Sequence, residues 1–130
     1  MILLDANVII DFWHEPTKPL TDLLRRKDIC ICGPVLAELM HGARDERELA
    51  EVQSLLGGLP QLGVSEAVWG ELGRNLHALR KAGLKVPFQD VLLVTVAVMH
   101  DAEVWTNDSH FPAMQQVLSK LRLFAPGSTD

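Results

Sequence analysis

The chain is poor in cysteine, carries no excess of positive charge and contains no long apolar run, and each lack excludes a class of protein. Two cysteines in 130 residues cannot build a disulfide scaffold. They stand two apart in Ile29-Cys30-Ile31-Cys32, where the period of a strand aims both sulfurs at one face, so no bridge between them is expected. Without a second pair of soft ligands they make a poor zinc site and read as small buried thiols of a sheet. The most apolar stretch, Val91 to Met99 with Thr95 inside it, falls far short of the roughly 20 residues that cross a bilayer and reads as a buried core helix. No membrane partner is expected. The start, Met1-Ile-Leu-Leu-Asp5, lacks the basic residues and longer apolar run of a secretory signal, so the expected location is cytoplasmic.

A formal net charge of −5 argues against a general electrostatic grip on nucleic acid, because non-specific binding comes mainly from basic residues that neutralise phosphates. It does not exclude a nuclease. Four acids gathered to hold metal would account for most of that excess, and a bound cation reverses the local sign.

What is present is an ordinary globular composition, 48% hydrophobic and 22% charged, in a length that suits one core. The whole chain, 1–130, reads as a single domain with 124–130 as a frayed tail, and it shows no repeat, linker or low-complexity segment. Ile2-Leu3-Leu4 reads as a strand ending in Asp5, followed by a helix from Ala6 to Trp13. Leu20, Leu23 and Leu24 mark a short helix closed by Arg25-Arg26-Lys27, and Ile29 to Cys32 is the next strand. Pro34 in a first turn predicts a helix through Val35, Leu36 and Leu39 to Gly42, and a polar helix follows from Asp45 to about Leu56. Beyond Gly57-Gly58 and Pro60 come a short strand around Leu62 to Val64 and a helix capped by Ser65, carrying Val68, Leu72, Leu76 and Leu79 and stopped by Gly83. Asp90 opens the apolar helix Val91 to His100, Glu103 to Thr106 is a strand, and a helix from Pro112 to Leu118 precedes a last strand at Leu121 to Phe124.

Strands alternating with helices indicate an α/β domain with a central, mainly parallel sheet of about five short strands. In such sheets ligands bind beyond the carboxyl ends of the strands. Asp5 and Asp108 fall at or just past such ends, Glu38 lies one turn into the helix after another, and Asp90 can reach the same rim from its helix start. Like charges brought together oppose each other's ionisation, so the group needs a cation. Oxygen ligands with no suitably spaced His or Cys favour magnesium or manganese, Mg²⁺ or Mn²⁺, over zinc. The chemistry such a site supports is hydrolysis of a phosphodiester, with Asp5, Asp90 and Asp108 holding or positioning metal and Glu38 as a ligand or an orienter of the attacking water. Each acid also has an ordinary explanation: Asp90 as a helix-start residue, Glu38 as a solvated helix residue, Asp108 as part of an Asn-Asp-Ser turn. Taken from the residues alone, the reading ends at an acidic metal site.

Four segments resemble the PIN domain family in its own order: Leu-Leu-Asp5-Ala-Asn7-Val, Leu-Ala-Glu38-Leu-Met-His-Gly42, Asp90-Val-Leu-Leu-Val-Thr-Val-Ala97 and Trp-Thr106-Asn-Asp108-Ser-His-Phe111. The resemblance spans residues 5 to 111 and implies a three-layer nuclease fold with a central parallel sheet, Mg²⁺ or Mn²⁺ dependence, and Asp5, Glu38, Asp90 and Asp108 as the active site. Asn7 and Thr106 are then its polar supports. The short chain most resembles bacterial VapC-type toxins, which cut RNA and are silenced by a cognate antitoxin bound across the active-site groove. That likeness implies an RNA substrate, an antitoxin partner and a homodimer formed through the helices.

Other residues are read without a site role. Asp11, Phe12, Trp13 and His14 are assigned to surface or packing, the five histidines share no metal-ligand spacing, and His110 reads as a turn residue. Arg25, Arg26, Lys27, Arg74, Arg80, Lys81 and Lys85 read as solvated, and Trp69 and Trp105 as packing groups. Three other readings fit the sequence less well. A receiver-type signalling domain wants an acidic pair early and a lysine after the late strand, where this chain has a lone Asp5 and Asn107-Asp108. A non-catalytic module of the same fold could use its acidic pocket to dock a basic antitoxin segment, which the intact set of acids disfavours; an Asp-x-Asp phosphatase is disfavoured by Asn7.

Overall fold

The computed structural model describes residues 1–14, 22, 25 and 28–126. In chain order the elements are β1 (Ile2–Leu4), α1 (Ala6–His14), β2 (Ile29–Cys32), α2 (Gly33–His41), α3 (Glu46–Leu56), β3 (Gln61–Leu62), α4 (Glu66–Lys81), α5 (Phe88–Met99), β4 (Glu103–Trp105) and α6 (His110–Gln115). The strands form one parallel sheet in the order β3-β2-β1-β4. Every residue of β1 and β2 is buried. Because neighbouring residues of a strand face opposite ways, this means that both faces of the sheet are covered by helices, which explains why these strands read as unbroken apolar runs.

The expected fifth strand, Leu121 to Phe124, is reduced to a single parallel bridge between Leu123 and Val104. Val104 donates to Arg122 O (2.8 Å) and accepts from Phe124 N (2.8 Å), but Leu121 N turns back to Leu118 O (3.0 Å), so pairing does not extend. The third strand lies at 61–62 instead of 62–64, and the last helix starts at His110, ahead of the expected Pro112. Pro112 is then third in that helix, where its missing N–H has no intrahelical partner to lose. Ser65 does precede α4, but its side chain makes no capping hydrogen bond. The expected helix around Leu20, Leu23 and Leu24 lies outside the described residues apart from Asp22 and Arg25, both helical, and the end of the expected tail, 127–130, also lies outside them.

Two helix ends are set by the left-handed region. Gly83 takes φ +80° and lets Leu84 N reach back to Leu79 O (2.9 Å), ending α4 as expected. Asp101 does the same for α5 at φ 56°, and Arg122 donates to both its carbonyl (2.7 Å) and its carboxylate (2.9 Å). Among the described residues, thirty apolar ones are buried around the sheet, and Phe111, Leu3, Leu4, Ile29 and Ile31 are the largest of those fully enclosed. Cys30 and Cys32 are among them, both free, and burial pushes each thiol up to about 11. Among the described residues no helix is long and apolar enough to cross a membrane.

Candidate functional site

The strand order reverses at β1: the chain steps from β1 to β2 to β3 on one side and then returns with β4 on the other. A crevice opens where such a reversal occurs, outside the carboxyl ends of the strands. Asp5 is the first residue past β1 and sits on that crevice, with its N–H tied to Trp105 O at the end of β4 (2.9 Å). It is 7% exposed. Its Oδ1 accepts from Ala6 N (2.8 Å), while Oδ2 accepts from Thr106 Oγ1 (2.7 Å) and Asn7 Nδ2 (3.2 Å).

Asn7 and Thr106 thus lock the two strand ends together around one carboxylate. Thr106 Oγ1 also accepts from Asp108 N (3.0 Å) and from Asn7 Nδ2 (3.3 Å), and Asn7 Oδ1 accepts from Asn107 N (3.1 Å). The loop that carries Asp108 is therefore built on the same two polar side chains as Asp5. Asp90 enters from the first turn of α5, and a small cleft is lined by Asp5, Pro34, Val35, Glu38, Gln89, Asp90 and Leu93. Larger hollows elsewhere on the surface contain none of these acids.

The electrostatics follow from this crowding. Burial raises the Asp5 pKa and the charge of Asp108 adds to it, against the lowering effect of its hydrogen bonds. Asp90 is pushed up from 3.8 to about 6, by burial first and then by the charges of Asp5 and Asp108. Glu38 is largely exposed as a residue, yet its carboxyl lines the cleft, where burial and the charge of Asp5 raise its pKa. Among the described residues, no lysine or arginine forms an ion pair with any of these four carboxyls. Beside Asp90 and Asp108 stands only the imidazole of His110 among the described residues, and the oxygen-rich donor set fits a hard divalent cation.

The structure thus brings Asp5, Glu38, Asp90 and Asp108 to one rim, with Asn7 and Thr106 beneath them. The tightest ligand group among the described residues, however, is Asp90, Asp108 and His110, whose donor atoms lie within 4.8 Å of one another. Sequence reasoning passed over His110 because a histidine two residues past an Asn-Asp turn looks like more of the turn. It also left Asp11 at the surface; Asp11 is exposed but accepts from Asn107 Nδ2 (2.7 Å), bracing the same loop.

Comparison with known proteins gives a consistent picture. A family model for the PIN domain matches residues 2–116. Ribonuclease VapC11 of Mycobacterium tuberculosis is 26% identical over 125 residues, covering 90% of this chain and 93% of that protein. VapBC2 from Rickettsia felis, solved bound to a DNA fragment from their promoter, superposes with a TM-score of 0.82 at 23% identity, over 95% of this chain and 98% of that one. A toxin-antitoxin complex from Klebsiella pneumoniae superposes with a TM-score of 0.68 at 18% identity, over 95% and 100%. At these identities the superpositions speak to the fold.

Proposed function

The chain belongs to the PIN domain family, and on that premise we propose that it is a divalent-metal-dependent endoribonuclease acting as the toxin of a type II toxin–antitoxin pair. The observation that carries the proposal is the concentration of Asp5, Glu38, Asp90 and Asp108 at the strand reversal, with pKa values of Asp5, Glu38 and Asp90 raised by burial and mutual repulsion. A chain keeps such an unfavourable arrangement where charge repulsion is relieved by a bound cation. When bound, Mg²⁺ or Mn²⁺ supplies activation of water and charge stabilisation at the scissile phosphate.

The residues divide the work by their surroundings. Asp90 and Asp108 would hold the cation beside the cleft, and Asp5, fixed on both oxygens by Ala6, Asn7 and Thr106, would help position it. Glu38, the most solvent-accessible of the four acids and itself raised in pKa by burial and the charge of Asp5, orients the attacking water and accepts its proton. Substrate RNA approaches an acidic surface, so its affinity depends on the metal more than on basic side chains.

An antitoxin and a second copy of the chain are the proposed protein partners. Supporting this, the similar VapBC and toxin-antitoxin structures are of complexes, and Ile10, Trp13, Leu55, Trp69 and Phe88 stay exposed on the helices. The deciding experiment incubates purified protein with a mixed cellular RNA pool and Mg²⁺ or Mn²⁺, beside EDTA and Asp5→Asn controls. Cuts that vanish in both controls support the nuclease. An uncut pool with either metal favours a non-catalytic module of the same fold that docks a basic antitoxin segment in its acidic cleft.

A further inference from the structure

The rim was expected to offer oxygen alone, yet the fold delivers a nitrogen to it. His110 is the first residue of α6, and its backbone N–H is capped by Asp108 Oδ1 (2.8 Å). That cap folds the imidazole back over the acids, leaving Nδ1 3.0 Å from Asp108 Oδ1 and 3.8 Å from Asp90 Oδ2. Metal–ligand bonds of about 2.1 Å meeting at right angles put neighbouring donor atoms about 3 Å apart. The 3.0 Å separation from Asp108 already matches such an edge, whereas the 3.8 Å to Asp90 is longer and has to close on binding, a movement for which the 48% exposed His110 side chain has room.

We infer that His110 is a ligand of the metal centre through Nδ1, and that it makes this site select Mn²⁺ over Mg²⁺; the inference rests on the metal-dependent reading above. Mg²⁺ prefers an all-oxygen shell and gives up water reluctantly, whereas the first-row transition ions accept imidazole readily. Replacing one water or carboxylate position by nitrogen thus costs Mg²⁺ more than Mn²⁺. Coordination through Nδ1 places the ring proton on Nε2, the tautomer in which Nδ1 carries its lone pair. The competing arrangement is a plain Asp108–His110 contact in which Nδ1–H donates to the carboxylate and the ring only steadies the loop.

Pulsed EPR on full-length protein loaded with one equivalent of Mn²⁺ separates the two, because only direct ligation couples the metal spin strongly to an imidazole nitrogen. The expected result is one such coupling in the wild type, absent in His110→Gln. The same substitution is expected to weaken Mn²⁺ by at least the roughly tenfold that loss of even an outer-sphere partner costs, with Mg²⁺ affinity little changed. His110→Gln changes an exposed position, and unaltered circular dichroism checks that it folds. Bound Mn²⁺ with no nitrogen coupling, or a coupling that survives in His110→Gln, overturns the assignment while leaving a metal-dependent nuclease standing. Mn²⁺ binding that is undetectable, or indifferent to Asp90→Asn and Asp108→Asn, overturns the metal centre itself and this assignment with it.

Discussion

Replacing Asp90 by Asn is expected to stabilise the metal-free protein at neutral pH, although it removes a proposed metal ligand. The Asp90 side chain is 18% exposed and its pKa is displaced from 3.8 to about 6. Taken at face value, that gap corresponds to about 3 kcal/mol of unfavourable charge in the folded state. The rim is partly open to water, so screening reduces the effect to about 1–2 kcal/mol. Asn also gives up a carboxylate in the first turn of α5, which is worth about 0.3–1 kcal/mol. The net gain is about 1 kcal/mol, or a rise in Tm of about 3–6 °C for a chain of this size.

The pH dependence distinguishes this cause from a general packing effect. Because the folded pKa lies above the unfolded one, the folded protein keeps a proton that the unfolded chain has released, and stability falls as pH rises between the two values. The penalty in the wild type is absent below 3.8, grows through the interval and is complete above about 6. Thermal melts in EDTA across that range should show the advantage of the Asn variant appearing only as pH increases. Added Mn²⁺ should reverse the order, since saturation at about 100 times Kd stabilises the wild type by about 2.7 kcal/mol and the variant by less. An Asn variant that melts at or below the wild-type temperature in EDTA at neutral pH, or an advantage independent of pH, would refute the reasoning.

Thr106→Val deletes the hydroxyl shared by Asp5 Oδ2 (2.7 Å) and Asp108 N (3.0 Å) and is expected to slow RNA cleavage roughly 10- to 100-fold. Its folding cost should be only about 1–2 kcal/mol by urea titration; an unchanged rate would remove Thr106 from the site. Cys30 and Cys32, fully buried with thiols pushed up to about 11, should resist a chromogenic disulfide reagent in the native protein and react fully in denaturant. Asp45→Ala removes the acceptor of Glu48 N (2.8 Å) at the start of α3, costing about 1 kcal/mol in a melt with cleavage unaffected.

Local signals carried much of the fold. The continuous apolar runs of β1 and β2, Pro34 at the start of α2 and Gly83 at the end of α4 act within a few residues, so each was legible from the sequence. The elements that shifted depend on distant partners: Leu121 to Phe124 extends only as far as Val104 allows, and β3 is held to two residues by its register with Ile31 and Cys32. Ser65 takes the N-cap position that its residue type predicts, but without a capping hydrogen bond, which requires a side-chain rotamer that nothing in the sequence specifies.

The acids were legible as strand-end and helix-start residues of one expected rim, but the contacts that join them were not, because those depend on the sheet order. Had β4 added beyond β3, Asp108 would lie three strands from Asp5; insertion beside β1 places them on adjacent strand ends, bridged by Asn7 and Thr106. The same topology explains why His110 escaped notice. Its signal is one hydrogen bond from its own N–H to Asp108, indistinguishable in sequence from any turn, and it acquires a second carboxylate only because α5 delivers Asp90 across the crevice. The composition of this rim is therefore a property of the strand reversal at β1: the sequence motifs supply the donors, and the crossover from β3 to β4 decides which donors face one another.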